Sequence, residues 1–303
     1  MQIGLIGLGR MGANMARRLV RGGAEVRAFD VSPVARAALE GEAGAALFDT
    51  LEGVVRALPA PRVVWLMLPA GEITEHTLDA LLPQLSEGDT VVDGANAYYR
   101  DSQRRARRLQ ERGLQFVDAG VSGGVWGLAN GYAIMLGGTA QALAPVVPFV
   151  KILAPAPDGG WLHCGPAGAG HFVKMVHNGI EYGMMQAYAE GFALMAAKKD
   201  LELDLGAIAQ TWRNGSVVRS WLLDLTAEFL AKDAALEHIE PFVADSGEGR
   251  WTALEAVELG VPAPVMSLAL MTRFASQGNA DYASKLLAMM RNMFGGHAVK
   301  GDQ

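Results

Sequence analysis

The sequence predicts an α/β protein of two domains: a doubly wound N-terminal domain on a parallel sheet over residues 1–160, and an all-α helical domain over residues 161–303. Three observations carry this. The first half alternates short apolar runs with longer amphipathic stretches, the pattern of strands buried on both faces between covering helices. The segment Pro155-Ala156-Pro157-Asp158-Gly159-Gly160 breaks that alternation with the residues that interrupt regular structure. Beyond it strand-like runs are few, and a proline-free, methionine-rich stretch opens a series of helical segments.

In the first domain the apolar runs place strands at residues 2–6, 25–30, 63–68, 90–93 and 115–118. Amphipathic segments place helices at 12–21, 33–40, 74–85 and 102–112. In the second, residues 168–201 are apolar on nearly every side and predict one long buried helix. Shorter helices follow at 205–212, 220–231, 250–259, 264–276 and 281–293.

Composition narrows the function classes. With 303 residues, half of them hydrophobic, the chain can build two cores. A formal net charge of −6 is poorly suited to nucleic acid or an anionic membrane, so an anionic substrate would need a local group of cations. Cys164 is the only cysteine, which rules out a disulfide or a multi-thiolate metal site within one chain and suits a reducing cytoplasm. Its plain role is that of a small buried residue. The N-terminus lacks the features of a signal peptide, and no apolar run reaches the roughly 18 residues of a membrane span. Six arginines between Arg100 and Arg112 are interrupted by Asp101 and Glu111 and read as a solvated helix face. His163 reads as structural.

The first predicted strand runs directly into Gly7-Leu8-Gly9-Arg10-Met11-Gly12, followed at once by a helix. That context gives GxGxxG its meaning: a tight turn, close approach of backbone to a pyrophosphate, and helix-on-strand packing. Free N–H groups at the helix start then hold the anion. Asp30 ends the second strand about 20 residues later, where a carboxylate accepts the adenosine ribose hydroxyls and repels a 2′-phosphate. The pattern predicts NAD as cofactor; Arg36, near enough to reach over, leaves NADP open.

The most informative stretch is Lys174-Met175-Val176-His177-Asn178-Gly179-Ile180-Glu181-Tyr182. Lys174, His177, Asn178 and Glu181 stand at i, i+3, i+4 and i+7 and share one helix face. Phe172, Val173, Met175, Val176, Ile180 and Met184 occupy the other sides. A polar stripe on an otherwise buried helix is either a structural ion network or the lining of an active site, since unpaired buried charge is costly. The two-turn separation of Lys174 and Glu181 strains a direct pair and favours the active site, with a sugar-sized molecule between them. A lysine acts as a base near neutral pH only where desolvation or nearby cations lower its pKa, which an apolar helix supplies.

With these motifs the chain resembles the 6-phosphogluconate dehydrogenase family, a branch of the β-hydroxyacid dehydrogenases. The glycine fingerprint and Val121-Ser122-Gly123-Gly124 resemble the wider group. The Lys174–Tyr182 stretch, Asp93-Gly94-Ala95-Asn96 and Arg291-Asn292-Met293-Phe294-Gly295-Gly296-His297 resemble the narrower family. The resemblance implies oxidative decarboxylation of 6-phosphogluconate to ribulose 5-phosphate. Lys174 would be general base and Glu181 the acid; His177, Asn178, Ser122, Gly123 and Gly124 would hold the carboxylate and hydroxyls. Asn96 would stand between cofactor and substrate, with Leu68 beside the dinucleotide. Tyr182, Arg273, Arg291 and His297 would hold the phosphate, the last two from the partner's C-terminal tail, which implies a homodimer or homotetramer. No metal is required.

The departures are specific. The chain is shorter than the long members and resembles a short branch lacking most of their second helical repeat. Where long members carry a phosphate-binding lysine in a glycine-rich loop, this sequence has Asp245-Ser246-Gly247-Glu248-Gly249-Arg250-Trp251, with Ser246 in the lysine's place and Arg250 read as structural. Two rivals remain: a dehydrogenase of a small unphosphorylated acid such as 3-hydroxyisobutyrate, for which Arg273, Arg291 and His297 have no obvious use, and a protein that binds NAD without turnover.

Overall fold

β1 (Gln2–Ile6) shows why the first half folds as it does: Ile3 and Leu5 are buried in one apolar cluster and Ile6 in another, so alternate residues supply opposite faces of the sheet. In this computed structural model, which describes residues 1–295 and 299–300, the elements continue as α1 (Arg10–Arg21), β2 (Glu25–Phe29), α2 (Pro33–Ala37), β3 (Ala45–Leu47), α3 (Leu51–Arg56), β4 (Val63–Leu66), α4 (Glu72–Leu81), β5 (Thr90–Asp93), α5 (Tyr99–Gln110) and β6 (Gln115–Ser122). They are followed by α6 (Gly127–Asn130), β7 (Ala133–Gly138), α7 (Ala140–Leu143), α8 (Val147–Leu153) and β8 (Trp161–Gly165).

The eight strands form one sheet in the order β3-β2-β1-β4-β5-β6-β7-β8. From β3 to β6 all neighbours are parallel, the doubly wound arrangement in which ligands meet the carboxyl ends of the strands. One cluster, with Met15, Leu19, Trp65 and Phe149, fills one face of the sheet; the other, with Val54, Leu78, Leu81 and Leu109, fills the second. Each fully buried leucine contributes about 1.5–3 kcal/mol.

The sheet departs from the expected all-parallel form at β7, which runs antiparallel to β6 with Ser122 opposite Ala133. The β6–β7 connection has no crossover helix long enough to return the chain to the same end, and such a connection makes neighbours antiparallel. The arginine-rich α5 is also corrected in part: Arg105 is only 1% exposed and pairs with the buried Asp93 at 2.6 Å, so one of the six arginines points inward.

α9 (Ala169–Ala197) begins in the first compact unit, Met1–His177, and runs into the second, which begins at Asn178. The second unit is helical throughout: α10 (Leu205–Trp212), α11 (Trp221–Leu230), α12 (Glu248–Glu258), α13 (Pro264–Phe274) and α14 (Asp281–Gly295). Asp204 and Ser220 cap α10 and α11 through side-chain oxygens. Gly278, with φ of +82°, lies in the break between α13 and α14. Among the described residues no helix is long and apolar enough to cross a membrane.

Candidate active site

The glycine loop after β1 divides its three glycines by task. Gly7 has φ of +96°, and a Cβ there would stand 2.3 Å from the Met67 carbonyl oxygen and 2.9 Å from Leu68 Cδ2. A Cβ on Gly12 would stand 2.0 Å from the Gly7 carbonyl, so α1 rests on the loop only with glycine at that place. At Gly9 the same position has nothing within 4 Å, the open space a pyrophosphate takes. α1 starts there with no side-chain cap and no acidic residue in its first turn, leaving that turn's N–H groups presented to an anion. Arg10 is exposed, Met11 packs partly against the core, and the Leu8 side chain is wholly within it.

Asp30 follows β2. Its Oδ2 accepts the Leu8 N–H at 2.6 Å and its Oδ1 the Ser32 N–H at 2.8 Å. The carboxylate is thereby fixed against the glycine loop, and each oxygen keeps a lone pair for a ribose hydroxyl. Loop, helix start and carboxylate together fit a nicotinamide dinucleotide.

Asn96 follows β5, where Asp93 accepts the Ala95 N–H at 3.2 Å on one oxygen and Arg105 at 2.6 Å on the other. Arg105 also donates to Glu75 at 2.9 Å. This pair fixes the loop that carries Asn96, and removing one partner of such a buried pair costs about 3–5 kcal/mol. The Asn96 Oδ1 is buried with no hydrogen-bond partner, an acceptor of the kind a ligand completes. Ser122 ends β6, and Gly123 and Gly124 turn the chain with φ of +135° and +52°. Asn14 of α1 donates to the Val125 carbonyl at 3.2 Å, holding this turn beside the cofactor helix.

Lys174 is 5% exposed. It sits where α9 crosses β6 at Gly120: a Cβ on Gly120 would lie 2.4 Å from Lys174 Cβ and 2.9 Å from the Gly170 carbonyl. Gly120 and Ser122 are two residues apart on one strand and face the same side. The buried Asp118 of β6 accepts the N–H groups of Gly168 at 2.6 Å and His171 at 2.8 Å, capping the first turn of α9 and favourably placed at its dipole. Asn96, Ser122 and Lys174 thus belong to one packed unit with the glycine loop. Asp118, Gly120 and Arg105 were missed as parts of it; the small residues of Asp118-Ala119-Gly120-Val121-Ser122 were the available signal.

The rest of the polar stripe corrects the picture of a helix dry on its remaining sides. His177 is exposed, while Asn178 and Glu181 are half-buried. On other sides of α9, Val173, Ile180 and Met184 are apolar residues left exposed by the described residues. The helix is unbroken, so the i, i+3, i+4, i+7 spacing keeps the four side chains on one flank, with Lys174 and Glu181 roughly 10 Å apart along the axis.

In the second unit Tyr182 and Arg273 come together: the guanidinium carbon lies 3.5 Å from the Tyr182 ring centroid, and Arg273 donates to the Ala244 carbonyl at 2.8 Å. The Tyr182 hydroxyl lies 3.2 Å from Ser246 Oγ. Asp245 pairs with Arg250 at 2.7 Å, in keeping with a structural role for that arginine. Burial pushes the Asp245 carboxyl up, but the Gly247 N–H, the Arg250 guanidinium and the Tyr182 hydroxyl outweigh it and hold it below the usual carboxylate range. Arg291 is exposed on α14. His297 lies outside the described residues. His163 Nε2 lies 2.9 Å from the Gly138 and Gly165 carbonyls, and burial pushes the Cys164 thiol up, away from a reactive thiolate.

Comparison with known proteins agrees with this geometry. Residues 2–163 match the model of the NAD binding domain of 6-phosphogluconate dehydrogenase, and residues 170–298 match that of the 6-phosphogluconate dehydrogenase C-terminal domain. The chain is 42% identical to the NAD(+)-dependent, decarboxylating 6-phosphogluconate dehydrogenase of Haloferax volcanii, over 99% of this chain and 98% of that one. It is 40% identical to the putative 6-phosphogluconate dehydrogenase YqeC of Bacillus subtilis over 99% of both. Among solved structures, the 6-phosphogluconate dehydrogenase of Plasmodium falciparum superposes with a TM-score of 0.84 at 30% identity, covering all of this chain and 66% of that one. With both halves matched and full-length relatives at this identity, the chain belongs to the 6-phosphogluconate dehydrogenase family.

Proposed function

We propose that the protein oxidatively decarboxylates 6-phosphogluconate to ribulose 5-phosphate with NAD as hydride acceptor. The observation that carries this is the buried Lys174, pressed onto β6 at Gly120 in the same unit as the glycine loop, Asn96 and Ser122. The bound dinucleotide supplies the hydride acceptor. Lys174 takes the proton from the 3-hydroxyl as hydride leaves C3, and then, protonated, polarises the new carbonyl so that the β-keto acid loses carbon dioxide. Glu181 then protonates the enediol at the carbon that carried the lost carboxylate, giving the pentulose phosphate. Ser122, Gly123, Gly124, His177 and Asn178 hold the carboxylate and hydroxyls, and Asn96 spans substrate and cofactor. Tyr182 and Arg273 hold the phosphate end, where the guanidinium fork suits its oxygens. Ser246, beside Tyr182, stands in for the lysine of longer members. Arg291 and His297 act on a neighbouring subunit's site, which requires a homodimer or homotetramer.

The test is a substrate panel. With 6-phosphogluconate and NAD, the protein forms one carbon dioxide per NADH. Reduction of NAD by 3-hydroxyisobutyrate but not by 6-phosphogluconate, or NADH formed without carbon dioxide, would sink this assignment.

A further inference from the structure

The ribose end of the cofactor site holds a charged pair that the reaction does not use. Arg36 lies in α2, six residues after Asp30, and its side chain is 18% exposed. One guanidinium nitrogen, Nη1, donates to the Asp30 carbonyl at 2.6 Å, so the arginine is anchored at the residue that faces the ribose. Its other terminal nitrogen, Nη2, is held by Asp49 Oδ1 at 3.0 Å. Asp49 comes from the segment after β3, just before α3, and its side chain is 89% exposed.

A 2′-phosphate on the adenosine ribose would meet two opposing groups. The Asp30 carboxylate repels it, and an arginine fork at the same strand end would attract it, as the fork geometry matches phosphate oxygens. Asp49, by occupying Nη2, would weaken the second influence. We propose that Asp49 is a positioning residue for cofactor choice, acting through Arg36 to keep the site selective for a ribose without a 2′-phosphate. This rests on the glycine loop being the dinucleotide site proposed above. Because Asp49 is exposed, its influence is screened by salt.

Titration of the full-length protein with NAD and with NADP, by calorimetry, tests this without turnover. Asp49→Ala should tighten NADP about fivefold and leave NAD within about twofold, as expected when a charge-assisted bond to phosphate is released. The gain should shrink as sodium chloride is raised and disappear in Arg36→Gln/Asp49→Ala. The ratio of kcat/KM for NADP over NAD should move in the same direction. An NADP affinity unchanged in Asp49→Ala, with NAD still bound, overturns the role of Asp49 alone. A gain that survives loss of Arg36 overturns the route through the arginine. Failure of the wild-type protein to bind either dinucleotide overturns the cofactor site itself and this role with it.

Discussion

The two compact units bury their apolar residues very differently. In the first, large buried clusters fill both faces of the sheet, and few large apolar side chains, such as Val31 and Ile73, are exposed. In the second, the buried clusters are small: Phe192, Leu223 and Leu230 with two alanines, and Tyr182 with Ala269 and Leu270. Its helices expose apolar residues along their length, including Leu194 at 74% and Met293 at 81%. A few exposed apolar residues are ordinary for a protein surface, whereas apolar helix faces exposed along their length mark surfaces made to be covered. The cofactor-binding unit buries most of its large apolar residues within one chain, and the exposed helix faces of the second unit are what the proposed oligomer would cover.

Three experiments put that contrast to the test. The largest effect belongs to Lys174, at the end of the self-contained unit. Lys174→Met should lower kcat by about 10³-fold while NAD affinity and thermal stability stay close to wild type. Near-normal turnover would remove Lys174 as the base, and lost NAD binding would show that its role is packing. Next is the mass in solution. Sedimentation should give at least two chains of 32.1 kDa at micromolar concentration, and a single-chain mass would mean that the exposed helix faces of the second unit are tolerated in water.

The smallest effect concerns Asp245. Its folded carboxyl releases its proton more readily than in the unfolded chain, so it stabilises the loop above the ordinary value of about 3.9 and loses that contribution as pH falls through the lowered folded value. The Tm difference between wild type and Asp245→Asn should therefore be greatest near neutral pH and close below about pH 4. A difference independent of pH would assign the loop's stability to hydrogen bonding alone. The half-exposed Arg250 keeps the effect small.

Regular elements with strong periodicity were legible: β1, β5 and α10 fall at their expected residues, and α1, α5 and α11 within a few. β3 and α3 were not, because three and six residues carry too little pattern. β7 was hidden as a short apolar run, Ala133–Gly138, that belongs equally well to a buried helix. Of the candidate site, the glycine loop, Asp30 and the α9 stripe follow from local spacing. The inward turn of Arg105 does not, since its partner Asp93 lies on another element and an arginine at that position looks the same in sequence whether solvated or paired.

By itself the chain's order of residues determined what local chemistry can determine: a strand, three glycines and a helix that presents its N–H groups, and a helix flank bearing Lys174, His177, Asn178 and Glu181. Those depend on backbone geometry that repeats every two or 3.6 residues. Only the tertiary structure decided which of those groups lose their water. Lys174 is buried because Gly120, some fifty positions earlier in the chain, has no side chain to hold α9 off β6, while His177 one turn on remains exposed. Burial depends on what arrives from distant sequence, and spacing along one helix carries no record of it.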